Sequence, residues 1–362
     1  MAKKVIVAMS GGVDSSVAAL ILKQQGYEVI GVTMQIWPQS EDNTRACCSL
    51  DAIYDARQVA WHLDIPHYVM NFRDEFEEKV INYFCEEYLH GRTPNPCIAC
   101  NRYIKFESLL RKAMAMGADY IATGHYVRIS KDNNGRFTLL TGVDNGKDQS
   151  YALYQMNRWQ LERTIFPLGT YKKEQVRNLA REAGLLVSDK AESQEICFVS
   201  EGGYADFVEH HLGIEDLVKR QSGLIRYTSG EILGTHQGIH RYTIGQRKGL
   251  GLALGHPVYV TGIDPDSKTV WIGENDELFL KSLVAENVHY ISGEALRQPE
   301  EVTVKIRYQA RQVAAVVNPI KENKFRIDFE KPQRAITPGQ AVVLYRGEQV
   351  LGGGTICSDE YK

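Results

Sequence analysis

The chain of 362 residues has no long apolar run, no excess of positive charge and few cysteines. No segment approaches the roughly 18 consecutive apolar residues that a membrane-spanning helix requires. The formal net charge is −3, so a surface for nucleic acid would have to be a local patch rather than a property of the whole chain. Seven cysteines are an odd number, which argues against a structural disulfide framework and favours a reducing compartment.

The composition that remains is that of a globular protein, with 43% hydrophobic and 24% charged residues. A chain of this length is expected to contain two or three domains. Residues Met1 to Lys4 lead into an apolar strand pattern without the longer apolar region of a signal peptide. We therefore expect a cytoplasmic protein, and we find no internal repeat and no low-complexity segment.

The first half of the chain alternates β-type runs with helical patterns. Strands are predicted at Val5–Met9, Val29–Thr33, His67–Met70 and Tyr120–Thr123, and helices at Val17–Gln25, Ala52–Leu63, Asp74–Leu89, Ile104–Met116 and Lys172–Gly184. This order predicts an α/β fold in which a parallel sheet carries helices on both faces. Ligands of such sheets bind beyond the carboxyl ends of the strands.

After about residue 205 the pattern changes. A helical stretch at Tyr204–Leu212 precedes glycine-rich segments with β alternation. From about residue 275 short strand-like runs alternate with turns, at Val302–Tyr308, Gln312–Val317, Phe325–Phe329 and Ala341–Tyr345. Regularly spaced short strands of this kind predict a small antiparallel barrel.

A glycine- and serine-rich turn, SGGVDSS at 10–16, joins the first predicted strand to the first helix. Gly11 and Gly12 let the backbone approach an anion closely, and the start of the helix attracts negative charge. The turn lacks the lysine with which a Walker loop reaches the β- and γ-phosphates. It resembles instead the PP-loop of ATP pyrophosphatases, which transfer AMP and release pyrophosphate.

Cys97 and Cys100 form a C-x-x-C pair in a loop stiffened by Pro94 and Pro96, and we expect a helix to begin after it. A thiol at the start of a helix ionises more readily and becomes reactive. The spacing is compatible with zinc, with redox chemistry or with iron–sulfur ligation, and zinc is the weakest of the three because the sequence has no second pair. The other cysteines outside a motif are expected to be structural or inert, namely Cys47, Cys48, Cys85 and Cys357.

Taken together, the motifs resemble the bacterial tRNA-specific 2-thiouridylase family from Lys4 to the end of the chain. They are SGGVDSS at 10–16, GRTPNP at 91–96, CN at 100–101, ATGHY at 122–126, KDQSY at 147–151, ICF at 196–198, TIGQRKGLG at 243–251 and TPGQ at 337–340. The resemblance implies a PP-loop domain of the adenine nucleotide α-hydrolase-like fold over 1–205, a central domain over 206–275 and a C-terminal antiparallel β-barrel over 276–362.

The resemblance also implies an activity, in which sulfur replaces O2 of the wobble uridine in tRNAs for Lys, Glu and Gln. ATP, with Mg²⁺, would adenylate this oxygen, and a persulfide on Cys197 would then supply the sulfur. Cys100 would be the catalytic partner, so that a Cys100–Cys197 disulfide remains for an external reductant. The expected sulfur donor is a cysteine desulfurase or a sulfur-relay protein.

The family's site residues can be carried over motif by motif. ATP would contact Ala8, Met9, Ser10, Gly11, Gly12, Val13, Asp14, Ser15, Met34 and Gly124. The target base would contact Asn95, Pro96 and Cys97. The tRNA would contact His125, Lys147, Asp148, Gln149, Arg307, Tyr308 and Gln340. Asp14 is in addition a candidate contact for Mg²⁺ or a cap of the first helix.

One residue departs from the family's pattern, because many members have Asp where this chain has Cys97. The thiols of Cys97, Cys100 and Cys197 can be bare, or they can hold a 4Fe–4S cluster that leaves one iron open. Bare thiols are the favoured alternative, since a persulfide route requires Cys197 as a nucleophile.

Two other functions fit parts of the sequence. A PP-loop ligase or amidotransferase for small molecules also forms adenylates, but it needs neither the cysteine pair nor the appended barrel. A non-catalytic RNA-binding module built on the barrel would leave the nucleotide loop unexplained.

Overall fold

The structure is a computed structural model, and it describes residues 2–36, 50–132, 134–191, 196–199, 202–213, 222–321 and 323–357. The pair Cys47-Cys48, which we predict to be inert, lies outside these ranges.

A five-stranded parallel sheet forms the centre of the first domain. In chain order the strands are β1 (Lys4–Ala8), β2 (Glu28–Gln35), β3 (His67–Asn71) and β4 (Tyr120–Ala122), then a hairpin of β5 (Val127–Lys131) and β6 (Phe137–Thr141), and finally β7 (Thr164–Ile165). Five of these seven strands form the parallel sheet, in the order β3-β2-β1-β4-β7. Strands β5 and β6 of the hairpin do not belong to it. Val5 and Val7 belong to one hydrophobic core and Ile6 to another, because successive side chains of β1 point to opposite faces. The predicted two-sided packing is thereby confirmed.

Helices cover both faces of this sheet. Across the described residues of the whole chain, helices span Val13–Gln24, Leu50–His62, 73–89 with a π-helical turn at Glu77–Ile81, 96–115 with a π-helical stretch at Cys100–Leu109, Arg158–Glu162, Lys173–Glu182 and Tyr204–Leu212. Short 3₁₀ turns span Ser150–Leu153, Ile239–Arg241 and Asn275–Leu278. Within the described ranges, no helix is long and apolar enough to cross a membrane.

One helix begins earlier than predicted, at Pro96 rather than Ile104. The Asn95 side chain accepts hydrogen bonds from two backbone amides of the first turn, and proline at the first helical position is preset for helix. The Asn-Pro dipeptide was therefore the start signal, and our prediction of a loop around the cysteine pair was wrong.

A small mixed sheet forms the central domain. Its strands are β8 (Gly223–Tyr227), β9 (Ile232–His236), β10 (Tyr259–Asp264) and β11 (Thr269–Gly273), in the order β10-β11-β8-β9. Ile225, Val260 and Ile272 are buried in its own hydrophobic core. This region has the separate core that a domain requires.

Six antiparallel strands close into a barrel at the C-terminal end. They are β12 (Phe279–Tyr290), β13 (Glu300–Lys305), β14 (Val313–Lys321), β15 (Lys324–Arg334), β16 (Ala341–Arg346) and β17 (Gln349–Ile356). Their order is β12-β15-β14-β13-β16-β17, and β17 pairs again with β12. The predicted antiparallel barrel is confirmed.

The first domain and the barrel share one hydrogen-bonded sheet. Strand β6 pairs with β17 through Leu139 opposite Val350 and Leu140 opposite Gln349. The β5–β6 hairpin therefore extends the barrel sheet, a link that the sequence pattern did not predict. It attaches the barrel directly to the segment that contains residues 147–149.

Candidate nucleotide and thiol site

The loop between β1 and the first helix is shaped by its own glycines and serines. Gly11 has a φ of +67°, and a Cβ there would lie 2.3 Å from the carbonyl oxygen of Ala52. A Cβ on Gly12, by contrast, would meet no described atom closer than Ser10 Oγ at 3.6 Å. Ser15 Oγ accepts a hydrogen bond from the Ser10 amide and donates to the Gly12 carbonyl, each at 3.2 Å. The loop is thus held from within, and the space beside Gly12 is available to a ligand.

Two further residues predicted to contact the nucleotide lie on or just after β2 and β4, the two strands that neighbour β1. Gly124 follows β4, and a Cβ on it would lie 2.7 Å from the carbonyl carbon of Asp14 and 2.8 Å from the Ser15 amide nitrogen. Only glycine lets these two segments approach so closely. Met34 is half-buried on β2 and packs against the hydrophobic core. The carboxyl ends of β1 and β4 therefore meet at the loop, as expected for a ligand site of a parallel sheet.

The Asp14 carboxylate carries the densest polar contacts of the loop. Gly12, and not Asp14, is the residue that caps the first helix. Tyr126 donates its hydroxyl to Asp14 Oδ1 at 2.7 Å, and Lys173 Nζ contacts both carboxylate oxygens at 2.8 Å. The Asp14 carboxylate therefore already binds one cation, the ammonium of Lys173.

Two lysines at this loop were missed by the sequence analysis. Lys173 is the first residue of a helix, and Lys190 Nζ donates to the Gly11 carbonyl at 3.1 Å and contacts Asp55. Lys190 compensates a carbonyl oxygen that would otherwise repel an anion. Lys173 and Lys190 lie 159 and 179 residues from the loop residues that they contact, so no local pattern could have identified them.

The residues predicted to line the target base form the first turn of the helix over 96–115. Asn95 Oδ1 accepts hydrogen bonds from the amides of Cys97 at 3.1 Å and Ile98 at 3.4 Å, and the Cys97 side chain is exposed. Because the helix begins at Pro96, the thiol nearest its N-terminus is Cys97. Cys100 lies one turn further, where the π-helical stretch begins, and such irregularities are frequent at functional sites.

The two predicted catalytic cysteines border the same hydrophobic cluster. Cys100 and Cys197 are both half-buried, and both pack against the core on one face of the parallel sheet. Phe198 anchors the second of them, since its ring centroid lies 5.2 Å from that of Phe84 and 5.1 Å from that of Phe207. Although 97 residues separate them in sequence, the fold therefore brings both motifs to one core.

The segment over residues 147–149 contacts protein through most of its polar groups. The buried Asp148 carboxylate accepts hydrogen bonds from the Gly142 and Ser150 amides at 3.1 and 3.2 Å, and it contacts Lys305 Nζ of β13 at 3.5 Å. Gln149 Oε1 accepts from the Tyr126 amide at 2.9 Å. Lys147 is half-buried in the preceding turn. Two of these three side chains therefore hold the hairpin and the barrel in place.

Gln340 occupies a comparable position in a barrel loop. Its side-chain nitrogen donates to the carbonyls of Thr93 at 2.8 Å and Pro94 at 3.4 Å, while the Thr93 amide donates to Pro338 at 2.8 Å. The barrel thus holds the Thr93–Pro94 segment, immediately before the turn predicted to line the base. Direct contact of Gln340 with tRNA stays a prediction.

The remaining residues predicted to contact tRNA differ in charge and exposure. His125 Nδ1 lies 2.6 Å from Thr123 Oγ1, and burial, with the nearby Lys105, holds the pKa of His125 well below its ordinary value. It is therefore neutral at pH 7 and offers hydrogen bonds rather than charge. Arg307 and Tyr308 are exposed at the end of β13, so both are accessible to a ligand.

Comparison with known protein families divides the chain into three matches. A family described as "tRNA methyl transferase HUP domain" matches residues 3–201, which is more than half of the chain. Families described as "tRNA methyl transferase PRC-barrel domain" and "Aminomethyltransferase beta-barrel domain" match residues 206–274 and 280–356.

Curated relatives match over the whole length. A protein of Acetivibrio thermocellus named "tRNA-specific 2-thiouridylase MnmA" is 54% identical over 359 residues, covering 98% of this chain and 99% of its own. Proteins of the same name from Carboxydothermus hydrogenoformans and Clostridioides difficile are 54% and 51% identical, each covering 98% of this chain and 97% and 98% of their own. The chain belongs to the tRNA-specific 2-thiouridylase family.

Proposed function

We propose that the chain is a tRNA 2-thiouridylase that adenylates a uridine with ATP and then replaces the activated oxygen by sulfur from a cysteine persulfide. The observation that carries this proposal is the combination of the glycine- and serine-rich loop at the end of β1 with Cys100 and Cys197 on one adjoining core. Two of the matched families have methyl transferase in their descriptions. The thiols and the loop instead favour sulfur transfer, which needs a sulfur carrier and an activated leaving group.

ATP would bind over the loop at residues 8–15, with Gly124 and Met34 beside it. Backbone amides at the start of the first helix would contact the phosphates, and Gly12 leaves the space that they require. Asp14 offers the carboxylate oxygens that Mg²⁺ prefers, and this ion, when bound, would offset part of the phosphate charge. These features suit transfer of AMP, in which pyrophosphate would leave while it is in contact with the amides at the start of the first helix.

The first chemical step activates a poor leaving group. Uridine O2 attacks the α-phosphorus of ATP, the bond from that phosphorus to the bridging oxygen breaks, and pyrophosphate leaves with the electron pair. The N3 proton of the uracil ring passes to water as the adenylate forms, and N3 is protonated again from water when the 2-thiouridine is released. Amides that are already oriented toward the phosphates stabilise the developing charge without reorganisation.

The second step transfers sulfur. The terminal sulfur of a persulfide on Cys197 attacks C2, and AMP leaves with the C2–O electron pair. Cys100 then attacks Sγ of Cys197, so that the sulfur–sulfur bond breaks and its electron pair leaves with the 2-thiouridine. The product disulfide joins Cys100 to Cys197, and two electrons from an external thiol reductant restore the enzyme. The persulfide itself must come from a sulfur-donor protein.

The substrate uridine must leave the stack of the anticodon loop to reach this site, as target bases of modifying enzymes do. Lys147, which is half-buried, and the exposed Arg307 and Tyr308 would contact the tRNA backbone and bases. We propose tRNAs for Lys, Glu and Gln as substrates. Their recognition would extend from the first domain to the barrel, which the shared sheet holds together.

The test is incubation of the protein with ATP, a persulfide donor and tRNA, followed by analysis of the nucleotides and of the digested tRNA by mass spectrometry. We expect AMP, pyrophosphate and 2-thiouridine in equal amounts. Formation of ADP and phosphate would exclude the adenylation step. AMP formation that does not require tRNA and leaves the tRNA unmodified would support a small-molecule ligase instead.

A further inference from the structure

We propose that Lys173 supplies the phosphate-contacting cation that the nucleotide loop lacks, and that its ammonium stabilises the pyrophosphate leaving group. The inference rests on the adenylation proposed above. A Walker loop carries its lysine within the motif, whereas SGGVDSS has none. A triphosphate site without a cation from side chains would depend on amides and metal alone. Lys173 enters from a helix that lies 159 residues away in sequence.

The position of Lys173 is fixed at its backbone. Its amide donates to Asp144 Oδ2 at 2.9 Å, at the first residue of the helix Lys173–Glu182. Its side chain is only 11% exposed, and Nζ lies 5.8 Å from the ring centroid of Tyr126. The ammonium is therefore directed at the loop and not into solvent.

Asp14 is the partner that holds the Lys173 ammonium at the loop. Nζ contacts both oxygens of Asp14, which lies in the first turn of the helix that follows the loop. Asp14 also retains the hydroxyl of Tyr126 as a donor, so its carboxylate keeps one partner when the lysine turns away. The flexible four-carbon stem of lysine allows this rotation while its backbone stays in place.

The role of Lys173 in the reaction is electrostatic. As the bond between the α-phosphorus and the bridging oxygen breaks, the electron pair moves to pyrophosphate, and the ammonium beside it offsets the added charge. No proton or electron passes through the lysine. Loss of one such preoriented group reduces the rate about 10²-fold in comparable sites.

The experiment compares the wild-type protein with Lys173→Met, Lys173→Gln and Lys173→Arg. Lys172→Met is the matched control, because Lys172 is the exposed neighbour. The rate of AMP release is measured at saturating ATP and tRNA, and loading of labelled sulfur on Cys197 is measured without ATP. We expect AMP release to fall about 10²-fold in the Met and Gln variants and to recover at least tenfold in the Arg variant. Sulfur loading and the control should be unchanged.

Three outcomes would overturn the proposal. The first is AMP release at the wild-type rate in Lys173→Met. The second is a parallel loss of AMP release and sulfur loading without rescue by Arg, which would show a structural role. The Gln variant guards against misfolding, since its amide can still donate to Asp14. The third is a wild-type protein that forms no AMP, which would refute the proposed function itself before any variant is compared.

Discussion

The nucleotide loop at residues 10–15 and the segment at residues 147–149 differ in what their polar groups contact. In the loop, Ser15 bonds to neighbouring loop backbone, and among the described atoms none lies closer than 3.6 Å to the position of a Cβ on Gly12. In the second segment, the Asp148 and Gln149 side chains bond to other elements of the protein and join the first domain to the barrel. We propose that the first motif binds a ligand, whereas the second connects parts of the protein. Substitutions in the two regions should therefore alter different measurements.

The largest effect is expected at the thiols. Cys100→Ser and Cys197→Ser should each reduce 2-thiouridine formation by about 10³-fold or more, because each removes a nucleophile that a hydroxyl cannot replace. Binding of tRNA should be largely retained, and only Cys197 should carry labelled persulfide sulfur. Mass spectrometry of digested tRNA measures the product.

The controls for this prediction are the two buried cysteines outside the motifs, Cys85 and Cys357. Burial raises the pKa of the Cys85 thiol to about 12, so it is not a thiolate at neutral pH. Cys85→Ser and Cys357→Ser should keep activity. Full activity of Cys197→Ser would refute the assignment of the sulfur carrier.

A sharper comparison lies within the loop, between its two glycines. Gly11→Ala should lower the free energy of unfolding by about 2 kcal/mol, because the residue has a positive φ and its Cβ would collide with Ala52. Gly12 has φ −100° and ψ 164°, which any residue adopts. Gly12→Val should therefore change stability by less than about 1 kcal/mol and yet weaken ATP binding about tenfold or more, since its side chain fills the phosphate space.

Urea unfolding and equilibrium ATP binding separate the two effects. If Gly12→Val binds ATP as tightly as the wild type, then the space beside Gly12 is not the phosphate site.

The third prediction concerns the segment at residues 147–149. Asp148→Ala should lower the free energy of unfolding by about 3 kcal/mol, because it leaves two amides and the mostly buried Lys305 without this acceptor. The adjacent Lys147→Ala should lower stability less than Asp148→Ala, because Lys147 is half-buried and Asp148 is buried. It should instead reduce the slope of log affinity for tRNA against log salt by about 0.7 to 0.9, as the loss of one phosphate contact does. If Asp148→Ala had normal stability but bound tRNA weakly, Asp148 would have a role in tRNA binding rather than in holding the structure together.

The local part of this architecture could be predicted from sequence. Strand β1, the loop and the first helix follow one another within about 20 residues, and both the apolar run and the glycines are visible there. The motifs of Cys100 and Cys197 could likewise be recognised from a few adjacent residues. The parts that were missed depend on pairing between distant segments, such as Leu139 with Val350 and Lys173 with Asp14.

Strand β17 is a strand that intrinsic propensity does not explain. It contains Gly352, Gly353 and Gly354, and glycine is unfavourable in strands. In the closed barrel, a Cβ at these positions would lie 2.0, 2.3 and 2.8 Å from backbone oxygens of His289, Val342 and Glu286. The close approach that completes the barrel requires glycine, and this requirement is invisible until the partner strands are known.

The smallest effect is expected at Cys97. This residue can belong either to the reacting residues of the site or to those that only shape it. Its side chain is exposed in the first turn of the helix over 96–115, and its amide bonds to Asn95. If the thiols are bare, Cys97→Asp should keep most of the activity, because the Cys97 thiol is not the nucleophile in the proposed reaction. The helix start also favours a negative side chain there by about 0.3 to 1 kcal/mol.

Protein purified in air and free of iron should then form 2-thiouridine with a persulfide donor. The measurement is anaerobic purification with iron and sulfide analysis, followed by assays with and without a reconstituted cluster. Activity that requires about four irons per chain and disappears in Cys97→Asp would show that these thiols hold a cluster, and Cys97 would then belong with the residues of the catalytic site.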